Sequence, residues 1–267
     1  MGRLGGKVAI VTGSSSGIGR AIAIEFAREG ASVICADITR SARKAGYEDD
    51  VERDTDAVIS QMGAKVEFCE CDVTKADQIQ AAIDRAVSAF GRLDVMVNNA
   101  GLDLGPNTVV DEPEEQYDRT MAVNVKGVFL GCKAAIAQMM KQPAPQDRAS
   151  RGKVINVASM AGLVALFDGP AYCASKGAVI NMTRQIAVDF GQHRINVTAL
   201  CPGPTETALS RPFLDDPESN ARLHATTPWP DLQRPEDLAY AAVFLASEES
   251  NQVTGSCLMV EGGYTAR

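Results

Sequence analysis

"KVAIVTGSSSGIGRAIAIEFAREG", residues 7–30, decides the fold. A run rich in Val and Ile passes directly into glycines and small hydroxyl residues, and these pass into an apolar pattern with helical period. That is a strand, a glycine turn and a helix packed back on the strand. Gly13 permits a tight turn, Gly17 lets a backbone come close to a phosphate group, and Gly19 lets the helix pack near the sheet. The helix start supplies free N–H groups and the positive end of a dipole, so the unit suits an anion. By themselves the glycines also fit a tight turn with no ligand.

Working outward, "SVICAD", "KVEFCECD", "LDVMVNN", "KVINVAS", "INVTALCPG" and "CLMVEGG" read as further strands. Between them "DAVISQMG", "IQAAIDRAVSAFG", the stretch after Tyr172 and "RPEDLAYAAVFLAS" read as helices. The alternation specifies an α/β fold: a Rossmann-like, doubly wound sheet of seven parallel strands with helices on both faces. Residues 1–267 are expected to form a single domain. Residues 39–56, dense in charge, and 141–152, dense in Pro and polar residues, are expected to be exposed loops or frayed helix starts. Residues 203–229, proline-rich and weakly periodic, are too long for a bare connector and are a candidate substrate lid.

Composition narrows the function. The 267 residues are 45% hydrophobic, enough for a substantial core, and 34 acidic against 26 basic side chains give a net charge of -8. No basic stripe offsets that sign, so no nucleic-acid partner is expected. The chain starts almost at once with a strand-like run, and no uninterrupted apolar stretch approaches the roughly 18 residues of a membrane span. The expectation is a soluble, cytoplasmic protein with no membrane partner. Seven cysteines, an odd number, favour reduced thiols over a disulfide framework. Cys69 and Cys71 form only a C-x-C pair, and His193 and His224 lie far from them, so no metal site is expected.

Polar or glycine-rich elements follow each strand: Thr12-Gly13, Asp37, Asp72, Asn98-Asn99, Ser159 and Pro202-Gly203. In an open parallel sheet, ligands bind outside the carboxyl ends of the strands, and all six elements would line that edge. The glycine spacing is G-x-x-x-G-x-G, unlike the G-x-G-x-x-G of the usual dinucleotide fingerprint, and it lacks the Lys-Ser/Thr of a P-loop. Asp37 strengthens the dinucleotide reading. It lies near the offset at which a carboxylate accepts hydrogen bonds from an adenosine ribose, and it would repel a 2'-phosphate, favouring NAD over NADP. Arg40, three residues on, could soften that preference. Asp72 could hydrogen-bond the adenine amino group or cap the following helix.

Tyr172 and Lys176, in "YCASK", share a helix face. An ammonium roughly 4 Å from a phenol, at an effective dielectric near 20, contributes about 4 kcal/mol and would lower the phenol's pKa by as much as ~3 units. Such a tyrosine exchanges a proton with an alcohol or ketone oxygen while a hydride moves at carbon. Ser159 is placed to hydrogen-bond the same oxygen, and without a nearby histidine it is not a hydrolase nucleophile. Asn124, polar within a helical stretch, is either a satisfied interior amide or the holder of a water linking Lys176 to solvent. Cys173 points away around the helix and reads as packing.

In order and combination, Thr12 to Gly19, Asp37, Asp72-Val73, Asn98-Asn99-Ala100-Gly101, Asn124, Ser159, Tyr172 with Lys176, and Pro202-Gly203 with Thr207 resemble the short-chain dehydrogenase/reductase family, over about residues 4–264. The resemblance implies nicotinamide-cofactor contacts from Gly13, Ser15, Ser16, Gly17, Ile18, Asp37, Asp72, Val73, Asn99, Ala100, Gly101, Tyr172, Lys176, Pro202, Gly203, Thr205 and Thr207. It implies that Asn98 to Gly101 steady the central strand, that Lys176 binds the nicotinamide ribose and that Thr205 and Thr207 meet the carboxamide. It implies a homotetramer built on helices near 120–138 and 172–190. Glu261 departs from the family, where Asp is common, and the charged stretch after Asp37 is longer than usual.

The function expected is hydride transfer between NAD(H) and a secondary alcohol or ketone: a sugar, a cyclic alcohol or an aliphatic one. An NADP-dependent ketoreductase of acyl thioesters and a dinucleotide-binding regulator without turnover are the alternatives. Candidate walls of the substrate site are Asp103, Leu104, Met160, Leu166, Phe167, Leu209, Phe213 and Leu214.

Overall fold

A computed structural model of the chain describes residues 2–44, 46–47, 50–143, 149–166 and 168–266. Parts of the two expected loops, at 45, 48–49 and 144–148, and the candidate wall Phe167 lie outside the described residues. Seven strands form one parallel sheet: β1 (Val8–Thr12), β2 (Ser32–Asp37), β3 (Val66–Glu70), β4 (Val95–Asn98), β5 (Gly152–Val157), β6 (Ile195–Pro202) and β7 (Cys257–Val260). Their order is β3-β2-β1-β4-β5-β6-β7. Sequence order therefore reverses direction between β1 and β4, where the connections leave toward opposite faces and a crevice opens.

Alternation along the strands divides the core in two. Val8, Ile10, Met96, Val154 and Val197 face α3 (Ala76–Phe90), α5 (Val128–Lys141) and α6 (Pro170–Phe190). Ala9, Val11, Val95, Val97 and Ile155 face α1 (Gly17–Arg28), α2 (Thr55–Gln61) and α9 (Pro235–Ala246). Because successive side chains of a strand point to opposite faces, neither layer can slip by one residue without exchanging the two cores. Ile22, Ala23, Phe26 and Ala27 recur at helical spacing on α1 and bury that face against α9 and the sheet.

Three features differ from expectation. The helical stretch around Asn124 is one continuous run of α4 (Glu114–Met121), a π-helical segment Ala122–Gly127, and α5. By length and composition that run could cross a bilayer, but α5 lays Val128, Cys132, Ala135, Ile136 and Met139 into the core, as a buried helix of a globular fold does. The candidate lid contains α7 (Arg211–Leu214) and α8 (Pro217–Thr226), each with proline in its first turn, where proline favours a helix start. Two of the prolines that obscured periodicity, Pro212 and Pro217, are therefore helix openers. The charged stretch 39–56 is not wholly exposed either, since Thr55 and Asp56 are buried at the start of α2.

All seven cysteines are free thiols. Gly131 of α5 lies so close to β4 that a Cβ there would stand 1.9 Å from Asn98 Oδ1 and 3.0 Å from Met96 Cε. Overpacking of this kind costs about 1–3 kcal/mol, each kcal/mol lowering the melting temperature by roughly 2–4 °C in a chain of this size. Gly131→Ala should therefore melt several degrees below the parent in a thermal scan; an unchanged midpoint would show that the helix has room to shift.

Candidate active site

The carboxyl edge of the sheet holds a cavity of about 740 Å³. Gly13, Asp37, Asp72, Asn99, Ser159, Pro202 and Gly203 line it, so every strand end expected to contribute does so; Thr12 and Asn98 lie beneath it. Ser15, Ser16, Gly17, Ile18, Val73, Ala100, Gly101, Tyr172, Lys176, Thr205 and Thr207 line it as well. Of the candidate walls, Asp103, Met160, Leu166, Leu209, Phe213 and Leu214 do and Leu104 does not.

Two loops interlock under the cavity. Thr12 Oγ1 accepts the N–H groups of Asn99 (2.9 Å) and Ala100 (3.1 Å) and donates to Val97 O (3.2 Å). Asn99 Nδ2 returns bonds to Thr12 O (2.9 Å) and Gly13 O (3.1 Å). Gly13 sits at φ +64 with its missing Cβ 2.9 Å from Ala100 Cα, and a Cβ on Gly19 would stand 2.1 Å from Gly13 O. Side chains at either position would fill the turn, so the cradle remains open backbone at the start of α1, which fits a pyrophosphate. Gly17, at φ +56, adjoins Thr207, whose Cγ2 would lie 3.2 Å from an added Cβ.

Asp37 is tied into the same loop. Its Oδ2 accepts from Ser15 N–H (2.9 Å) and its Oδ1 from Ile38 N–H (2.7 Å), leaving lone pairs toward the cavity. Arg40 turns to Asp56, with Nη2 2.5 Å from Oδ2, and to Asp54, rather than to the groove. Arg43 stands on the rim. Asp72 Oδ1 accepts from the amide (2.9 Å) and hydroxyl (2.7 Å) of Thr74, a local turn that leaves its second oxygen available. A buried arginine unseen from the sequence organises the long loop: Arg20 donates to Arg53 O (2.7 Å), Thr55 Oγ1 (3.0 Å) and Asp50 Oδ1 (2.8 Å). Thr55 Oγ1 in turn donates to Ser14 O (2.8 Å), binding the loop to the cradle.

Tyr172 and Lys176 lie one turn apart near the start of α6, on the face toward the cavity. Lys176 Nζ donates to Val157 O (3.0 Å) and lies 5.5 Å from the Tyr172 ring centroid. The expected lowering of the phenol does not occur. Burial pushes Tyr172 up to about 12, against the pull of a hydrogen bond with Ser159, and Asp103 pushes it further. Burial likewise brings Lys176 down to about 8, while Cys201 and Asp103 raise it. Both groups lose hydration together, and the ammonium is bound to a main-chain carbonyl, so desolvation outweighs attraction. Ser159 Oγ accepts from Ala161 N–H (3.1 Å), which leaves its own proton to donate.

Asn124 does not line the cavity. Its Oδ1 accepts from Leu102 N–H (2.9 Å), and its Nδ2 donates to Leu102 O (2.9 Å) and Ser175 Oγ (3.1 Å). The amide so copies a strand partner for Leu102, from within the π-helical segment. It stands behind Lys176 across Gly101, where an added Cβ would be 3.4 Å from Asn124 Oδ1 and 3.6 Å from Lys176 Nζ. Glu261 is similarly structural, accepting from Gly263 N–H (3.1 Å) and Thr265 N–H (2.7 Å).

Several contacts join the long loop to the candidate lid, Arg211 Nη1 donating to Gly46 O (3.4 Å) among them. The Arg211 guanidinium lies 4.4 Å from the Tyr47 ring centroid, and Tyr47 Oη donates to Asp215 Oδ1 (3.3 Å). Residues so distant in sequence leave no spacing signal.

The structure and sequence resemble proteins of one kind. A family model described as enoyl-(acyl carrier protein) reductase matches residues 13–265. A 2-(S)-hydroxypropyl-CoM dehydrogenase of Xanthobacter autotrophicus is 40% identical over 99% of this chain and 98% of its own. A cyclopentanol dehydrogenase of a Comamonas species is 37% identical over the full length of both. A short-chain type dehydrogenase/reductase of Mycobacterium marinum superposes with a TM-score of 0.87 at 33% identity, covering 99% of this chain and 97% of its own. A structure described as an NAD(P)-dependent gluconate 5-dehydrogenase of Beutenbergia cavernae, with NADP bound at low occupancy, gives 0.86 at 30%, covering 99% and 98%.

The native value of Lys176, about 8, lies below the 10.5 of an exposed lysine. Folding therefore carries a cost for the ammonium at low pH, and that cost is relieved as pH rises from about 8 toward 10.5. Tyr172, whose value is raised, leaves stability untouched below its ordinary 10. Between about pH 7.5 and 9.5 the parent should gain in urea midpoint on Lys176→Met; a constant gap would mean that the lysine titrates normally.

Proposed function

The chain belongs to the short-chain dehydrogenase/reductase family, and from that premise we propose that Tyr172 is the acid/base of its reaction, seconded by Ser159, Lys176 and Asn124. The chain is an oxidoreductase acting on CH–OH groups with a nicotinamide dinucleotide. The observation that carries the assignment is the Tyr172 and Ser159 pair on the cavity wall, one helical turn from a buried lysine.

The backbone cradle of Gly13 to Gly19 would hold the pyrophosphate, Asp37 the adenosine ribose, and Lys176 with Thr205 and Thr207 the nicotinamide end. A nicotinamide dinucleotide held by these residues would supply the hydride acceptor for oxidation of the carbinol carbon and the hydride donor for the reverse reaction. Ser159 Oγ donates to the substrate oxygen and holds it toward Tyr172. In oxidation Tyr172 takes the hydroxyl proton, and in reduction it gives one back. A phenol at about 12 in the protein alone is poised as a donor, so its use as a base depends on charge brought into the cavity. Lys176, at about 8, exchanges protons readily near neutrality and can pass one on. Asn124 positions that lysine from behind Gly101.

Asp37 favours NAD over NADP, because a carboxylate beside the ribose repels a 2'-phosphate and Arg40 is drawn off by Asp54 and Asp56. A second reading is an NADP-dependent ketoreductase of acyl thioesters, which the family description, an enoyl-(acyl carrier protein) reductase, favours only in its thioester substrate. Exposed Tyr117 (44%), Phe129 (48%) and Val188 (78%) on α4, α5 and α6 support a homotetramer packed on those helices.

Initial rates with a cyclic secondary alcohol test the assignment. Tyr172→Phe should lose about 10²- to 10⁴-fold in kcat with binding largely kept, and the parent should use NAD at least about tenfold better than NADP. Parental turnover in Tyr172→Phe refutes the acid/base role, and a preference for NADPH with an acyl thioester selects the second reading. Sedimentation equilibrium should return four times the chain mass; a monomer would remove the tetramer.

A further inference from the structure

Apolar side chains and one carboxylate meet on the wall beside the proposed proton-transfer group. Met160, Leu166, Leu209, Phe213 and Leu223 supply greasy walls, and Asp103 stands among them. It follows Gly101 and Leu102, the residues that adjoin Lys176 and Asn124. Its charge acts on both Tyr172 and Lys176, so it lies within electrostatic reach of the reacting groups. Among the described residues its hydrogen-bond donor is Gly105 N–H, at a long 3.4 Å. An ionised carboxylate offers about four acceptor sites, and one long bond leaves most of them unspent.

Burial raises the Asp103 pKa, Glu112 adds to the rise, and the Gly105 hydrogen bond and the charge of Lys176 oppose it. The carboxylate is thus half-buried and has one long hydrogen bond among the described residues. Asp168 lines the cavity too, and Asn107 N–H donates to its carbonyl (2.9 Å), closing the Asp103 loop onto the segment before α6. The arginines that line the cavity, Arg43, Arg119 and Arg222, come from the loop after β2, from α4 and from α8. The charges that act on Asp103 are instead those of Glu112 and Lys176. An acceptor short of donors, beside a proton-transfer group, has a use only if the substrate brings the missing donor.

We propose that Asp103 is a specificity-determining residue: it accepts a hydrogen bond from a second donor group on the substrate, so that the preferred substrates are secondary alcohols carrying a neighbouring hydroxyl or ammonium. This rests on the alcohol-oxidising reading of the site. It sets such compounds above plain cyclic alcohols and above anionic acyl compounds, whose charge Asp103 repels. A substrate that covers this half-buried acceptor without offering it a donor strips its water and leaves it unpaired, so the pocket disfavours the analogue lacking the donor.

The test compares cyclohexanol, cis-1,2-cyclohexanediol and trans-2-aminocyclohexanol as substrates of the parent, Asp103→Asn and Asp103→Leu, each with saturating cofactor. The parent should show kcat/KM at least about tenfold higher for the diol or the amino alcohol than for cyclohexanol, mostly in KM. Asp103→Leu should erase that ratio. Asp103→Asn, nearly isosteric and still an acceptor, should keep it for the diol and lose it for the amino alcohol, which tells the two donors apart. A parent ratio near one, or a ratio that survives in Asp103→Leu, overturns the proposal while leaving alcohol oxidation intact. If the parent oxidises none of the three, the reading of the reaction fails instead. Calorimetric titration of the diol and the amino alcohol into cofactor-loaded Tyr172→Phe, with and without Asp103→Leu, then reads the wall alone: about tenfold weaker binding of either compound in the double variant supports the role, and equal binding of both refutes it.

Discussion

The knot between Thr12 and Asn99 is the constraint on which the cavity depends. Where β1 and β4 lie side by side, the chain leaves them in opposite directions, and nothing in a parallel sheet fixes how far apart the departing loops stand. Here one hydroxyl gathers two amides of the opposite loop, and one carboxamide returns bonds to two carbonyls of the first. Gly13 and Gly19 have no side chain because that knot leaves no room for one. Buried groups bonded in both directions strengthen one another. Asn98, pointing to the other face, donates to Asn156 (2.8 Å), which donates to Thr183 of α6 (2.9 Å). Two neighbouring asparagines so register the glycine cradle and α6 against the same strand.

Much of this was legible because it is local. The strands announced themselves as apolar runs, and each polar residue just beyond a run had to fall on the carboxyl edge. Tyr172 and Lys176 share a face by helical geometry alone. Other features needed distances that sequence does not contain. Arg20 reads as a solvent-facing helix residue, yet it is 2% exposed because residues 50–55 fold back over it. Asn124 was recognised as significant, but its bonds to Leu102 and Ser175 arise from a π-helical turn that no periodicity marks. Among the prolines of the candidate lid, legible as breakers, Pro212 and Pro217 in fact start helices.

The electrostatics reversed for a related reason. Placing two groups on one face says nothing about how much water they lose, and around Tyr172 and Lys176 that loss governs. The phenol is held protonated, while the amine, brought down to about 8, stays mostly an ammonium at neutrality and gives up its proton more readily than an exposed lysine does. One charge is therefore kept in the buried pair, held by the Val157 carbonyl.

The Tyr47 and Arg211 contact has a kinetic meaning. It fastens the segment carrying Thr39 and Arg43 to the one carrying Leu209 and Phe213, and both segments form walls of a single chamber. A ring and a guanidinium at a partly exposed site are worth about 1 kcal/mol, and the hydrogen bonds to Gly46 and Asp215 share the load. The clasp is made of side-chain tips that belong to neither core cluster, so parting it would leave the packing on both faces of the sheet untouched.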